Sequence, residues 1–328
     1  MFASPLTKTE ASRDLAELVR VLPAGSIITD PCHMNDYRWD RSNDLNVGLP
    51  LAVARVSNTE DVQAVVRFAA ARGIAVMPRG AGSGLSGGSS AMDGGIVVST
   101  ELLRNIDIDP VTRVGVVQPG AFNSEVKSAA AYHGLWYPPD PASFEFCSIG
   151  GNVATNAGGL CCVKYGVTTD YVLGMTVVLA DGTVVKLGGA RLKDVAGLSL
   201  TKLFVGSEGT LGIITEIVLE LIPAQQTAST LVASFASLDS ATQAVLDTTS
   251  RIRPSMLEFM DRSTINAVED ITKMGLNRQT EAMLIVQSDE STESAAGEIA
   301  TVLEICKVNK ATEVYSTDDP EKGETFVI

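Results

Sequence analysis

Residues 76–95 read VMPRGAGSGLSGGSSAMDGG, with seven glycines between Gly80 and Gly95. Gly82, Gly84 and Gly87 spell G-x-G-x-x-G, the pattern of dinucleotide-binding loops. That pattern holds a pyrophosphate only where the loop opens a helix, and here just eight residues, GSSAMDGG, separate Gly87 from the next apolar run, GIVVST at 95–100. No helix fits. The phosphate loop G-x-x-x-x-G-K-[ST] fails as well, because Gly88 stands where lysine is required. A flexible linker does not belong between two buried strands, IAVM at 74–77 and GIVVST. The reading left is strand, loop, strand, with backbone N–H groups converging on an anion and glycines admitting positive φ and close approach of a ligand. Arg79 and Ser83 add charge and a hydroxyl donor. Nucleotide pyrophosphate is the expected guest.

Outward from this loop, residues 57–73 carry Ser57 and Glu60 as a capping box, then Val62, Val65, Val66 and Ala69 at helical spacing, closed by Gly73. From about residue 106 alternating strands dominate: RVGVVQPG, a helix ending at His133 and Gly134, then VLGMTVVLADGTVVKLG, where Asp181-Gly182 predicts a two-residue hairpin turn. LGIITEIVLELIP alternates again to Pro223, and the polar AQQTAS that follows marks a domain boundary. Beyond it TLVASF, MLEFM and AMLIVQ alternate with helical patterns at 237–252, 261–274 and 291–306, predicting a sheet with helices on one face and no closing element. The fold class is α+β, with domains at 1–47 (an N-terminal helical segment), 48–223 and 224–328.

Composition bounds the chemistry. With 328 residues, 45% of them hydrophobic, the chain can bury two cores. A net charge of −14 opposes nucleic acid and anionic membrane as partners. No apolar run approaches a membrane span and MFASPLTKTEASRDLAELVR lacks the pattern of a signal peptide, so the cytoplasm is expected. The five cysteines are odd in number and lack C-x-x-C spacing, which suggests neither a disulfide framework nor a zinc site. Only two histidines occur: His133 with Gly134 terminates a helix, and His33 in DPCHMNDYRWD has no identifiable local partner. No metal site is expected in this chain.

Two further stretches repeat the theme of the glycine loop, PPDPASFEFCSIGGNVATNAGG at 138–159 and FVGSEGTLGIITE at 204–216. Their small residues let backbone pack against a flat ring, and Asn152, Thr155 and Asn156 supply hydrogen-bonding groups. In order and spacing, PRGAGSGLSGG, VQPG, YPPDPAS, SIGGNVATNAGG, KYGVTTDYVLG and LFVGSEGTLGIIT resemble the FAD-binding domain of the vanillyl-alcohol oxidase superfamily, in the branch of D-lactate dehydrogenase, the FAD-linked glycolate oxidase subunit and D-2-hydroxyglutarate dehydrogenase. The resemblance spans residues 48–223 and implies a PCMH-type, two-subdomain FAD-binding domain. Residues 224–328, through MLEFMDRSTINAV, resemble the first part of the family's α/β cap domain.

By that resemblance Pro78, Arg79, Gly80, Ala81, Gly82 and Ser83 wrap the pyrophosphate, with Leu85 and Ser86 continuing the contact. Pro119 and Gly120 line the nucleotide, and Asp140 and Ser143 approach the flavin. Ile149, Gly150, Gly151 and Asn152 run beside it with Thr155, Asn156 and Gly159, and Glu208, Gly209, Gly212 and Ile214 complete the set. Attachment is expected to be non-covalent, because the glycine loop lacks the histidine some members carry, and Cys147 is expected to be a buried inert thiol.

The family's later residues hold a histidine-rich motif, a metal site and the groups that clamp the carboxylate and take the hydroxyl proton. This chain is therefore expected to be C-terminally truncated, with an unpaired cap-sheet edge that favours a homo-oligomer, and to turn over no 2-hydroxy acid by itself. Glu258 and Asp261 are the nearest candidates for a base, but Asp261 suits an N-cap and neither is assigned. The implied activity is oxidation of glycolate, D-lactate or a related D-2-hydroxy acid to the 2-oxo acid, with electrons passing to a quinone, a cytochrome or an electron-transfer flavoprotein. The alternative is a non-catalytic FAD-binding subunit of a multi-subunit oxidase.

Overall fold

The computed structural model describes the backbone of residues 8–326 and side chains from Leu15 onward. The first seven residues of the expected N-terminal segment, and residues 327–328, lie outside the described residues. The chain divides into two compact units, one running to Ala157 and resuming over Val167–Pro223, the other made of Gly158–Gly166 and the residues from Ala224 onward.

The first unit contains two main sheets. The smaller orders its strands Ile27–Ile28, Ala52–Arg55, Ile96–Ser99, Val76–Arg79, and the last three run parallel. Ala52, Ala54, Ile96 and Val98 face the helices Lys8–Val21 and Thr59–Arg72, whereas Val53, Val97 and Met77 pack with Met34 and Ala91 on the other side. Burial on both faces is why IVVS reads as an unbroken apolar run. Adjacent parallel strands need a crossover of a dozen or more residues, usually a helix. Between Val76–Arg79 and Ile96–Ser99 that crossover is the glycine-rich loop itself, with no helix in it.

The larger sheet is antiparallel, ordered Ile106–Asp109, Val114–Val117, Ile213–Glu220, Val172–Val178, Val184–Gly188, and packs on helices Asn123–Tyr132 and Ile149–Thr155. Two local expectations shift. The cap of helix 59–72 is Asn58, whose side chain accepts from the Asp61 N–H at 2.7 Å, while Asp61 accepts from the Ser57 N–H at 2.9 Å. The expected box of Ser57 and Glu60 is therefore not formed: Asn58 is the cap, and Asp61 reaches back to Ser57. The hairpin after Val178 has a three-residue loop instead of a two-residue one: the Gly182 N–H donates to Leu179 O, and of Asp181 and Gly182 only Gly182 takes positive φ. A two-residue type I′ turn needs positive φ at both positions. Asp181 is held instead by accepting from the Thr183 N–H at 2.8 Å.

The second unit is a four-stranded antiparallel sheet ordered Met256–Asp261, Ala282–Ser288, Ser229–Phe235, Ala311–Thr317. Helices Leu238–Thr249 and Thr292–Val308 cover one face through Ala241, Ala244, Ile299 and Val302. Helix Arg262–Thr272 covers the other through Ile265, against Val232, Met283 and Ile285. The helices thus lie on both faces, contrary to the one-face expectation, because alternate side chains of the same strands are apolar. The sheet is also closed by a strand that the sequence reading missed, Ala311–Thr317.

The segment Gly158–Gly166 is anchored by Asp289, whose carboxylate accepts from Lys164 Nζ at 2.6 Å, Gln225 Nε2 at 3.0 Å and the Tyr165 hydroxyl. Burial alone would raise the Asp289 carboxyl, but these hydrogen bonds outweigh it and hold the group below its ordinary value. A depressed carboxylate stabilises the fold fully above its unfolded pKa of about 3.9, and that contribution disappears as pH falls through the lower folded value. Asp289→Ala is expected to cost the second unit about 2 kcal/mol at neutral pH and less at a pH below both values, where the part due to the charge is gone. Urea unfolding at the two pH values measures the difference, and an equal cost at both would contradict the assignment.

Candidate functional site

The C-terminal ends of the parallel strands deliver Arg79 and Thr100 to one side of a cavity of about 320 Å³, within the range of ligand pockets. The glycine loop, the start of helix Ile149–Thr155 and the turn through Glu208–Gly212 form its other walls. These walls touch closely enough to exclude side chains. A Cβ on Gly80 would lie 2.2 Å from Ser148 Oγ, one on Gly150 2.4 Å from Pro119 Cβ, and one on Gly209 2.3 Å from Pro78 Cγ. The glycines are therefore contact points between elements as well as flexible joints.

Gly82 combines such a contact with a left-handed backbone. Its φ is +69°, and a Cβ there would meet Arg79 Nη2 at 2.2 Å. Arg79 itself is 8% exposed. Its guanidinium donates to Ser89 O and Asp36 O at 3.4 Å and to Ser89 Oγ at 3.5 Å, all longer than ordinary hydrogen bonds. No carboxylate among the described residues lies within ion-pairing distance. Burial pushes the guanidinium below its ordinary value, with Asp40, Tyr37 and Glu101 pulling it back. A buried cation so weakly bonded, under a ring of backbone, is matched to an anion.

All but five of the residues expected from the sequence line this cavity. Gly120 does not: its Cβ position is 2.1 Å from Thr100 O, so it is packed against protein backbone. The Ile149 side chain is fully buried in the core of the larger sheet. Asn156 ends its helix with φ +49° and accepts from the Thr169 N–H at 2.9 Å. Gly159 belongs to the second unit, where its N–H donates to Cys162 Sγ at 2.8 Å. Asp140 is absent from the lining although Pro141 and Ser143 are present. Of the named polar groups, Asn152 is already engaged, accepting from Asn123 Nδ2 at 3.0 Å and donating to Cys147 Sγ at 3.2 Å. Cys147 is buried, as expected of a packing thiol.

Several lining residues escaped the sequence reading. Ser148 Oγ caps the helix by accepting from the Gly151 N–H and also accepts from the Ala81 N–H at 3.2 Å, tying helix to glycine loop. A serine directly before an I-G-G-N helix start is an N-cap signal that was available. Asp40, Ser89 and Thr100 gave no such signal. Outside the cavity, His33 pairs with Asp30 at 2.6 Å, correcting the view that it lacks a local partner. Asp261 caps helix 262–272 by accepting from the Thr264 N–H at 2.8 Å. No described helix is long and apolar enough to cross a membrane.

Comparison with known proteins matches residues 50–188 to the family described as FAD binding domain and residues 224–327 to FAD linked oxidases, C-terminal domain. The chain is 39% identical over 289 residues to the glycolate oxidase subunit GlcD of Bacillus subtilis, covering 88% of this chain and 61% of that one. It is 34% identical over 305 residues to the D-lactate dehydrogenase of Archaeoglobus fulgidus, covering 91% and 66% respectively. The chain thus spans less than two thirds of the length of these curated relatives. Among solved structures, p-cresol methylhydroxylase superposes with a TM-score of 0.80 at 16% identity, over 97% of this chain and 69% of that one. An alkyldihydroxyacetonephosphate synthase gives 0.78 at 19%, over 99% and 64%. At these identities the structures speak for the fold alone.

Proposed function

Since this chain belongs to the FAD-linked oxidases, we propose that its cavity holds FAD non-covalently and serves the oxidation of a 2-hydroxy acid to the 2-oxo acid. The observation that carries the reading is the Gly82–Arg79 contact: a glycine backbone laid over a buried guanidinium with no carboxylate partner. That arrangement fits a pyrophosphate, which would take the backbone N–H groups of Gly80, Gly82 and Ser83 and the charge of Arg79, the Ala81 N–H being held by Ser148. Pro119, Gly150, Gly151 and Ile214 offer small or apolar surface to the rest of the cofactor. When bound, FAD supplies a ring that accepts a hydride from the hydroxyl-bearing carbon. The chain's part is to hold that ring, with Ser148 and Asn152 keeping the glycine loop and the helix wall in place.

The relatives' names favour the small hydroxy acids glycolate and D-lactate as substrates. A quinone, a cytochrome or an electron-transfer flavoprotein would take the electrons. The word subunit in the name of the Bacillus subtilis relative favours a second reading, in which the chain carries flavin within a larger oxidase.

The test is anaerobic bleaching of the flavin near 450 nm, roughly its absorbance maximum, in the protein that carries this chain. Glycolate, D-lactate and D-2-hydroxyglutarate are added in turn. Bleaching by at least one is expected, and none by all three would remove the hydroxy-acid reading. Acid or heat is expected to release the flavin intact into the supernatant. Flavin that stays with the precipitated chain would instead mean a covalent link.

A further inference from the structure

The stretch between Asp36 and Gly48, to which the sequence reading gave no role, lies along the glycine loop. The Arg41 N–H donates to Gly84 O at 2.9 Å, the Ala91 N–H to Arg38 O at 2.9 Å, and the Gly48 N–H to Ala91 O at 2.8 Å. Asp40 sits in the middle of this ladder, 6% exposed and part of the cavity lining. Its two oxygens are used unequally. Oδ1 accepts from the Ser42 N–H at 2.9 Å, the Ser42 hydroxyl at 2.5 Å and, from the far half of the loop, the Ser90 hydroxyl at 3.3 Å. Oδ2 is shut from solvent and has no partner.

A carboxylate beside a site for a pyrophosphate opposes the ligand's charge, and Oδ2 of Asp40 is closed to solvent. Asp40 is therefore misplaced as a ligand contact and well placed as an acceptor for the loop. We propose that Asp40 is a positioning residue of the cofactor site, which acts through Oδ1 to hold the 80–95 loop in the shape that accepts pyrophosphate. The inference rests on the reading that the cavity takes FAD. Burial would raise the Asp40 carboxyl, yet the hydrogen bonds from Ser42, Ser90 and Gly87 hold it below its ordinary value, as a firmly bonded acceptor requires. Apparent affinity falls in proportion to the fraction of protein in the competent shape, so loosening the loop should appear directly in FAD binding.

The experiment titrates flavin-free protein with FAD and follows the quenching of flavin fluorescence. Asp40→Ala is expected to raise the Kd about 10-fold or more, by lowering the competent fraction. Asp40→Asn keeps an oxygen at Oδ1 but puts an amide NH2 at the partnerless Oδ2 position, so its Kd should lie between that of the parent and that of Asp40→Ala. The double variant Ser42→Ala with Ser90→Ala, which leaves Asp40 in place and removes both hydroxyl donors to Oδ1, should weaken binding in the direction of Asp40→Ala. Partial rescue by asparagine is a pattern that simple loss of stability would not produce. Asn as weak as Ala, or Ala as tight as the parent, overturns the proposal while leaving FAD binding intact. Should the parent itself take up no FAD, the proposed function and this inference fall together.

Discussion

Gly82→Val is expected to abolish FAD retention on purification, whereas Cys147→Ala is expected to change the affinity less than about threefold, being a core swap that leaves no polar group of the ligand unpaired. The reason lies in two features of one position. Gly82 has φ +69°, where a β-branched residue is strained by about 1–3 kcal/mol. A Cβ there also meets Arg79 Nη2 at 2.2 Å. The φ strain is relieved only if the loop leaves the conformation that presents its N–H groups, and the clash only if the Arg79 guanidinium moves aside, so ligand binding must restore one or both. With displacement of a charged hydrogen-bond donor, worth about 1.5–3 kcal/mol, the affinity is expected to fall about a hundredfold to ten-thousandfold. The Cys147 side chain meets Asn152 through its sulfur, while its backbone N–H, which alanine keeps, donates to Ser143 O at 2.8 Å. The flavin-to-protein absorbance ratio of the purified variants decides it. A parental ratio for Gly82→Val would take the pyrophosphate out of the glycine loop.

Arg79→Gln is expected to separate affinity from stability. Without ligand, the guanidinium is buried with contacts of 3.4–3.5 Å and no carboxylate partner, so the fold bears the cost of a poorly compensated charge. Removing such a charge is often neutral or stabilising. The flavin-free variant should unfold at the parent's temperature or above it. FAD binding should weaken about 100-fold, because charge-assisted bonds to phosphate are the stronger kind. The stabilisation that added FAD confers on the parent, which grows with the ratio of ligand concentration to Kd, should shrink accordingly. Thermal unfolding with and without FAD measures both signs in one experiment. A flavin-free variant less stable than the parent with unchanged FAD affinity would make Arg79 a structural residue only.

Much of this protein could be read along the chain because the relevant physics is local. The helix at 59–72 is written in the spacing of its valines and closed by Gly73 at φ +65°. The absence of a helix after the glycine loop follows from three glycines in eight residues, and the structure has none there. That exclusion separated the loop from a Rossmann fingerprint before any coordinates. The buried strands at 96–99 and 213–220 likewise announce themselves by apolar runs and alternation.

Other features depend on partners far away in sequence. Gly82 and Gly120 look alike as letters, yet one lies over Arg79 in the cavity and the other against Thr100 O outside it, and only the folded chain says which atoms a missing Cβ makes room for. Strand Ala311–Thr317 hides from pattern reading because an edge strand shows most of its side chains to water and so carries no apolar alternation. The face that helix Arg262–Thr272 covers is set by strand order, which pairs residues some 20 to 60 positions apart. Asp40 and Ser148 act on the glycine loop from 50 and 67 residues distant along the chain. The sequence alone determined the amphipathic helices, the buried strands and the glycine loop, since neighbours in the chain decide those; the tertiary structure decided the edge strand Ala311–Thr317 and which side chains hold the loop in shape, since those hydrogen bonds exist only once remote segments meet.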